Sequence, residues 1–227
     1  MKKNELVIVG DGQFAEVAYE YFETDSKFKV VAFAVEQAFY KQKRLQNLPI
    51  IKLEEIEKFY PVGRVKIFCA VGYGALNTRR ERLIKIVKEK NYQLASYISK
   101  QANISKSAFL GEHLFIFENN VIQPFSEIQE NVILWSGNHI GHHTTIHKNV
   151  FITSHVVVSG ATEIKRNCFL GVNSAISNNL IIEKFNWVGP GVILQKSTEP
   201  YEMWKIKSDF SLRVDSKKNF NLKHLQE

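Results

Sequence analysis

One aliphatic residue recurs every six positions from Ile98 to Leu194, and no other feature of the 227-residue chain restricts its fold so tightly. The series runs Ile98, Ile104, Leu110, Ile116, Ile122, Ile128, Leu134, Ile140, Ile146, Ile152, Val158, Ile164, Leu170, Ile176, Ile182, Val188 and Leu194, seventeen positions without a slip. A period of six fits neither an α-helix nor a flat strand. It fits a parallel β-helix of hexapeptides, in which each unit forms one short wall and three units close a triangular coil. The aliphatic residue points inward and stacks on its equivalents one coil away. The position two before it is expected to be small, and Ser96, Ala102, Ala108, Ser126, Thr144, Thr162, Cys168 and Ser174 obey; Leu114 and Leu180 fit less well. Gly111, Gly141, Gly171 and Gly189 directly follow an inward residue, where the turn is expected to need permissive backbone. Such a prism has flat walls and open ends, so a homotrimer of parallel prisms is expected.

The first ninety residues follow another rule. Residues 5–10 (ELVIVG), 29–35 (KVVAFAV) and 65–71 (VKIFCAV) read as buried strands, residues 14–22 and 77–90 as amphipathic helices, and residues 53–59 as a short helix. Alternation of this kind predicts a small parallel sheet with helices packed on it. The chain then divides into a Rossmann-like α/β domain at 1–92, a parallel β-helix at 93–200 and a tail at 201–227. Gly10-x-Gly12-x-x-Ala15 follows the first strand, a turn that brings backbone N–H groups to a phosphate at a helix N-terminus. A glycine turn without any ligand reads the same. Glu36 stands at the next strand end, where an acid can bind a ribose hydroxyl. NAD is one candidate ligand; a three-stranded unit is only half of the usual doubly wound fold, so a nucleotide carrying another group is more economical.

The net charge is +7, compatible with nucleic acid, an acidic membrane surface or phosphate-rich small ligands. No basic strip interleaved with aromatics is present, so nucleic acid is not the expected partner. The cations gather instead in residues 79–90 and 196–223. No stretch approaches the roughly 20 apolar residues of a membrane helix, and the apolar run at 6–9 is too short for a signal peptide. Two cysteines, Cys69 and Cys168, cannot build a disulfide framework, which points to a reduced, cytoplasmic protein.

Five of the seven histidines fall in one window: His139, His142, His143, His147 and His155. None occupies an inward position. His142 and His143 lie at an outward corner just after Ile140, where a trimer would form a cleft and a histidine can serve as a general base. Polar packing between subunits accounts for such histidines equally well. Three of them around zinc would suit a hydratase, yet that reading leaves the N-terminal unit unexplained, and no metal is expected.

Residues 7–15 (VIVGDGQFA), 131–160 (NVILWSGNHIGHHTTIHKNVFITSHVVVSG) and 167–174 (NCFLGVNS) resemble the bacterial sugar acyltransferases of the NeuD/PglD type. The resemblance spans about residues 6–194. It implies a left-handed β-helix and transfer of an acyl group, usually acetyl, from coenzyme A to an amino sugar on a nucleotide diphosphate, in surface polysaccharide or glycan synthesis. It implies His142 as the base. His143 stands where relatives often carry an acid that orients the imidazole, which leaves that role to His155 or Asn138, from this chain or a neighbouring subunit; His143 itself is the second candidate for the base. It implies a nucleotide-sugar site at Gly10, Asp11, Gly12, Gln13, Phe14, Glu36, Gly72, Tyr73, Asn77 and Arg80, with Arg80 available to pair phosphate. It implies coenzyme contacts at His155, Gly160, Gly171, Gly189 and Gly191. The segment 201–212 departs from the Gly-x-Pro-Ala-Lys-like ending of relatives. O-acetylation of a sialic acid-type sugar and a non-catalytic nucleotide-sensing scaffold are the alternatives.

Overall fold

The computed structural model describes residues 4–206; residues 207–227, which include most of the expected tail, lie outside the described residues. The N-terminal domain is built on β1 (Asn4–Val9), α1 (Gln13–Thr24), β2 (Phe28–Val35), β3 (Arg44–Leu45), β4 (Leu48–Lys52), α2 (Ile56–Phe59), β5 (Val65–Cys69) and α3 (Thr78–Glu89). Its sheet runs β3-β4-β2-β1-β5, parallel except for the β3–β4 hairpin. Leu6 to Val9 and Ala32 to Ala34 are buried on both sides, as a covered parallel sheet requires. The sheet has five strands where the sequence suggested three. The extra hairpin turns through Gln46 and Asn47, both at positive φ, a two-residue turn without the glycine that would advertise it.

From Tyr97 onward the chain winds into a left-handed parallel β-helix. Each of the seventeen expected aliphatic residues is the second residue of a two-residue strand, from Tyr97–Ile98 to Ile193–Leu194. From Tyr97–Ile98 to Ala175–Ile176, each strand pairs in parallel with the strand eighteen residues on, as in Val121↔His139 and His139↔Val157. Three walls result, and Met203–Trp204 adds a last rung to the first of them by pairing with Trp187–Val188. The inward row from Ile116 to Val188 is almost wholly dry. Each of those side chains contributes roughly 2 kcal/mol or more through burial.

Two expectations about the coil are corrected. The position two before each inward residue is a second core row, because Leu114, Val132, Val150 and Val156 are all fully buried there. It is also a bracket position: Asn120 donates to the carbonyls of Phe117 and Trp135, both at 2.9 Å. The glycines after inward residues are not at positive φ. They are small because the next coil passes close: a Cβ on Gly141 would meet Gly160 N at 2.5 Å, and one on Gly171 would meet Pro190 N at 2.6 Å. The left-handed backbone falls two residues later, at His113, Asn119, Phe125, Asn131, Gly137, His143, Asn149, His155, Ala161, Asn167, Asn173, Asn179, Phe185 and Gly191. Asparagine dominates that series because its short polar side chain tolerates this region.

The outward residues of the first wall, Tyr97, Phe115, Ile133, Phe151, Phe169 and Trp187, form the seat of the N-terminal domain. Phe115 meets Phe14, Phe22 and Phe68 with ring centroids 5.1–5.8 Å apart. Tyr21 hydroxyl donates to Glu118 at 2.9 Å and Tyr97 hydroxyl to Asp25 at 2.9 Å. The two domains therefore share one core cluster.

Candidate active site

A cavity of about 760 Å³ opens at the C-terminal ends of β1, β2 and β5, the place where open parallel sheets bind ligands. Gly10, Asp11, Gly12, Gln13, Phe14, Glu36 and Gly72 line it, together with Phe39, Arg79 and Arg82. Gly10 has φ +124, and a Cβ there would stand 2.7 Å from the Ala70 carbonyl oxygen, so only glycine fits. Gly12 caps α1 with extended backbone, and its missing Cβ faces open space. The first turn of α1 thus presents bare backbone and a helix N-terminus to the cavity. Glu36 lies at the rim with both carboxylate oxygens held by Arg82, at 2.7 and 2.6 Å. That pairing holds its carboxyl below the usual carboxylate range. A second hollow adjoins through Gln13, Phe14 and Gly72; Tyr73, Trp135 and Phe151 form its aromatic side.

Two expected members of this site are elsewhere. Arg80 is fully buried behind the loop. It donates to the Asn131 side chain at 2.7 Å, to Asn77 at 3.2 Å and to the Val71 and Gly72 carbonyls at 3.2 and 3.4 Å. Burial pulls its guanidinium down to about 9. Arg80 does not line the cavity; it shapes the loop from beneath. Asn77 is likewise buried, joining the domains through the Cys168 carbonyl at 3.2 Å. The cations that do face the cavity are Arg79 and Arg82. Sequence reasoning missed them although they stand beside Arg80 on α3, because the helix phase decides which of three neighbouring arginines points outward.

The histidines also separate. His142 and His143 stand exposed at the corner between the second and third walls. Their Nδ1 atoms are 3.1 Å apart. The His142 N–H donates to Gln123 Oε1 at 2.9 Å, and its ring lies against Gly160, where a Cβ would come within 2.8 Å. His143 has φ 57 and packs on Phe125 with centroids 4.9 Å apart. His147 is engaged with Glu163 at 2.6 Å, and Lys165 binds the same carboxylate. Asn138 is buried, donating to the Trp135 carbonyl and accepting from Val156 N–H, so it does not orient His142 in its own chain. His155, Gly171, Gly189 and Gly191 belong to a different corner, between the first and second walls. There the His155 ring covers Gly137, Gly189 accommodates the Trp187 ring, and Gly191, unlike Gly171 and Gly189, has positive φ. The wall between the two corners exposes Val121, Val157 and Ile193. Among the described residues, no three His, Cys, Asp or Glu side chains are grouped to hold a metal ion, and no helix is long and apolar enough to cross a membrane.

His142 lies across the prism from the N-terminal domain, which covers the first wall, whereas His142 is at the opposite edge. The cavity at the glycine loop and the exposed histidine pair of one chain therefore face different directions.

Residues 125–160 match the family model described as bacterial transferase hexapeptide (six repeats). No curated protein matches by sequence. Among solved structures, PerB from Caulobacter crescentus in complex with CoA and GDP-perosamine aligns with TM-score 0.77 at 20% identity, covering 89% of this chain and 92% of that one. A histidine-to-asparagine variant of perosamine N-acetyltransferase from the same organism aligns with TM-score 0.80 at 20% identity over 90% and 97%. The acetyltransferase domain of PglB from Neisseria gonorrhoeae FA1090 aligns with TM-score 0.79 at 18% identity over 88% and 96%. The resemblance drawn from the hexapeptide run and the glycine turn is thus matched in the fold: the chain carries a bacterial transferase hexapeptide segment and shares the two-domain architecture of these sugar acetyltransferase structures.

Proposed function

We propose that the chain is an acyl-CoA-dependent N-acyltransferase, with acetyl-CoA as donor and a nucleotide-diphosphate amino sugar as acceptor. The observation that carries this reading is a histidine, His142, exposed on a hexapeptide corner, in a chain that also bears a glycine-lined phosphate cavity. The binding of CoA and GDP-perosamine by the structural neighbour PerB supports the ligand classes. In this reading the diphosphate sits at the N-terminus of α1, against Gly10 to Phe14, with Arg79 replacing Arg80 as its cation. The acceptor amine attacks the thioester carbonyl carbon. His142 Nε2 takes the amine proton as the C–N bond forms, the C–S bond breaks, and the proton passes to the departing thiolate to give the free thiol. The Gly160 N–H has no acceptor among the described residues and lies beside His142, so it is our candidate donor to the developing oxyanion.

A cavity and a base on opposite sides of the prism imply that two chains complete each site. A homotrimer satisfies this and covers the apolar wall bearing Val121, Val157 and Ile193. Across such a joint, the His142 corner of one chain meets the corner with His155, Gly171, Gly189 and Gly191 of the next, giving coenzyme A a groove. We place the reaction in the cytoplasm, where nucleotide sugars and acyl-CoA are made, in the service of surface polysaccharide or lipopolysaccharide synthesis.

The test is purified protein with acetyl-CoA and a panel of UDP-, dTDP- and GDP-linked amino sugars, followed by free-thiol release. Release with at least one member, lost by a factor of about 100 or more in His142→Asn, is the expected result. No release with any member contradicts the proposal, and a product whose mass survives amine blocking would make it an O-acyltransferase.

A further inference from the structure

His143 occupies a position that could be mere filler at an exposed corner, but its geometry is specific. The left-handed backbone at φ 57 fixes its direction, its N–H donates to the Pro124 carbonyl at 3.2 Å, and the Phe125 ring supports one side of the imidazole. This leaves Nδ1 of His143 facing Nδ1 of His142 at 3.1 Å. Two neutral imidazoles in that arrangement can share only one proton between the facing atoms. If His142 carries it, Nδ1–H of His142 donates to His143, and Nε2 of His142 keeps a free lone pair. If His143 carries it, His142 is protonated at Nε2 and cannot accept a proton there.

Resting on the assignment of His142 as base, we propose that His143 is its positioning residue, a neutral hydrogen-bond acceptor that selects the Nδ1–H form of His142 and so exposes Nε2 for catalysis. A single added proton ends base function wherever it settles. On His142 it occupies Nε2 directly. On His143 it forces a donor onto the shared bond and drives the His142 proton to Nε2. Phe125 and Gly160, both uncharged, pack on the two rings, Gln123 holds the His142 backbone N–H, and among the described residues neither ring joins an ion pair.

The experiment combines the ¹⁵N spectrum of the His142 ring in the intact protein, without substrate, with kcat and KM as functions of pH for the wild type, His143→Ala and His143→Glu. The expected spectrum above the acid limb is the Nδ1–H tautomer in the wild type and the Nε2–H tautomer, which free imidazole favours, in His143→Ala. His143→Ala should lose roughly tenfold in kcat while KM for both substrates stays within about twofold. His143→Glu should recover kcat and move the acid limb to higher pH, because a carboxylate accepts the same bond and stabilises the imidazolium. A His142 ring that is Nε2–H in the wild type, or a His143→Ala enzyme with unchanged tautomer and kcat, overturns the proposal. If His142→Asn turns over normally while the wild-type spectrum is as expected, the assignment of the base fails and the hydrogen-bonded pair stands.

Discussion

His113 and His143 occupy the same slot of the hexapeptide corner with nearly the same backbone, φ 55 and φ 57, yet they live under opposite conditions. His113 faces the N-terminal domain and is fully buried. Its ring stacks on Phe68 at 4.6 Å, Nε2 accepts the Cys69 N–H at 2.8 Å, and Nδ1 meets Asn131 at 3.1 Å. Burial, reinforced by the charge of Arg80, pushes its imidazolium down to about 3. His143 faces solvent and touches another histidine. The repeat supplies the same left-handed turn at each corner from His113 to Gly191; what covers the corner decides whether the side chain there is packed away or left open to solvent. The column of His113, Asn131, Asn149 and Asn167 is closed by hydrogen bonds between side chains one coil apart, ending on Glu81 of α3 at 3.0 Å. The column that holds His143 has no such cover.

Breaking the buried corner should have the larger consequences. Arg80→Met removes donors from the Val71, Gly72 and Asn131 acceptors and should cost roughly 3 kcal/mol or more in urea denaturation. A cost below about 1 kcal/mol would mean that Arg80 does not lock the domains together. His113→Asn keeps a residue suited to the left-handed turn but loses the stack and the bond to Cys69, so a cost of roughly 1–3 kcal/mol is expected at pH 8. That gap should narrow on acidification. The folded state holds His113 neutral down to about 3, whereas the unfolded chain takes up its proton near 6.5. Stability that is fully present above 6.5 is therefore lost as pH falls from there toward 3. The variant lacks this loss. Parallel pH profiles for the two proteins would remove His113 as the acid-sensitive group.

The exposed corner gives the contrast. His143→Asn should change stability by less than about 0.5 kcal/mol. The two glycines of the first loop offer a similar pairing. Gly10→Ala places a Cβ against the Ala70 carbonyl and should destabilise the domain, while Gly12→Val meets open space and should leave the melting temperature unchanged yet raise KM for the nucleotide sugar. Equal effects at the two positions would argue against the phosphate-binding reading of the loop.

Much of this was legible in the sequence, for physical reasons that differ by region. The inward row from Ile98 to Leu194 could be read residue by residue because every coil repeats one local rule. The glycine loop was legible because Gly10 has a single tolerable residue. A longer period escaped notice: the residues before every third inward position, Tyr97, Phe115, Ile133, Phe151, Phe169 and Trp187, are aromatic with one exception and mark the wall on which the N-terminal domain sits. That signal has a spacing of eighteen and hides inside a period of six. Arg80 was misplaced because a basic helix near a phosphate loop does not declare which arginine turns inward, and Arg79 and Arg82 were overlooked for the same reason. The hairpin of β3 and β4 was missed because Pro49 within it argues against a strand.

The central claim is that the nucleotide cavity of one chain works with His142 of another. It is tested most directly by co-refolding two impaired variants, Gly12→Val and His142→Asn, in equal amounts, and assaying at a nucleotide-sugar concentration far below the raised KM of the first, where each alone is nearly inactive. If each site draws its loop and its base from different chains, random mixing restores about a quarter of wild-type activity, since one site in four receives both intact halves. If the mixture remains as inactive as its parents although it assembles normally, loop and base act within one chain and the account is wrong.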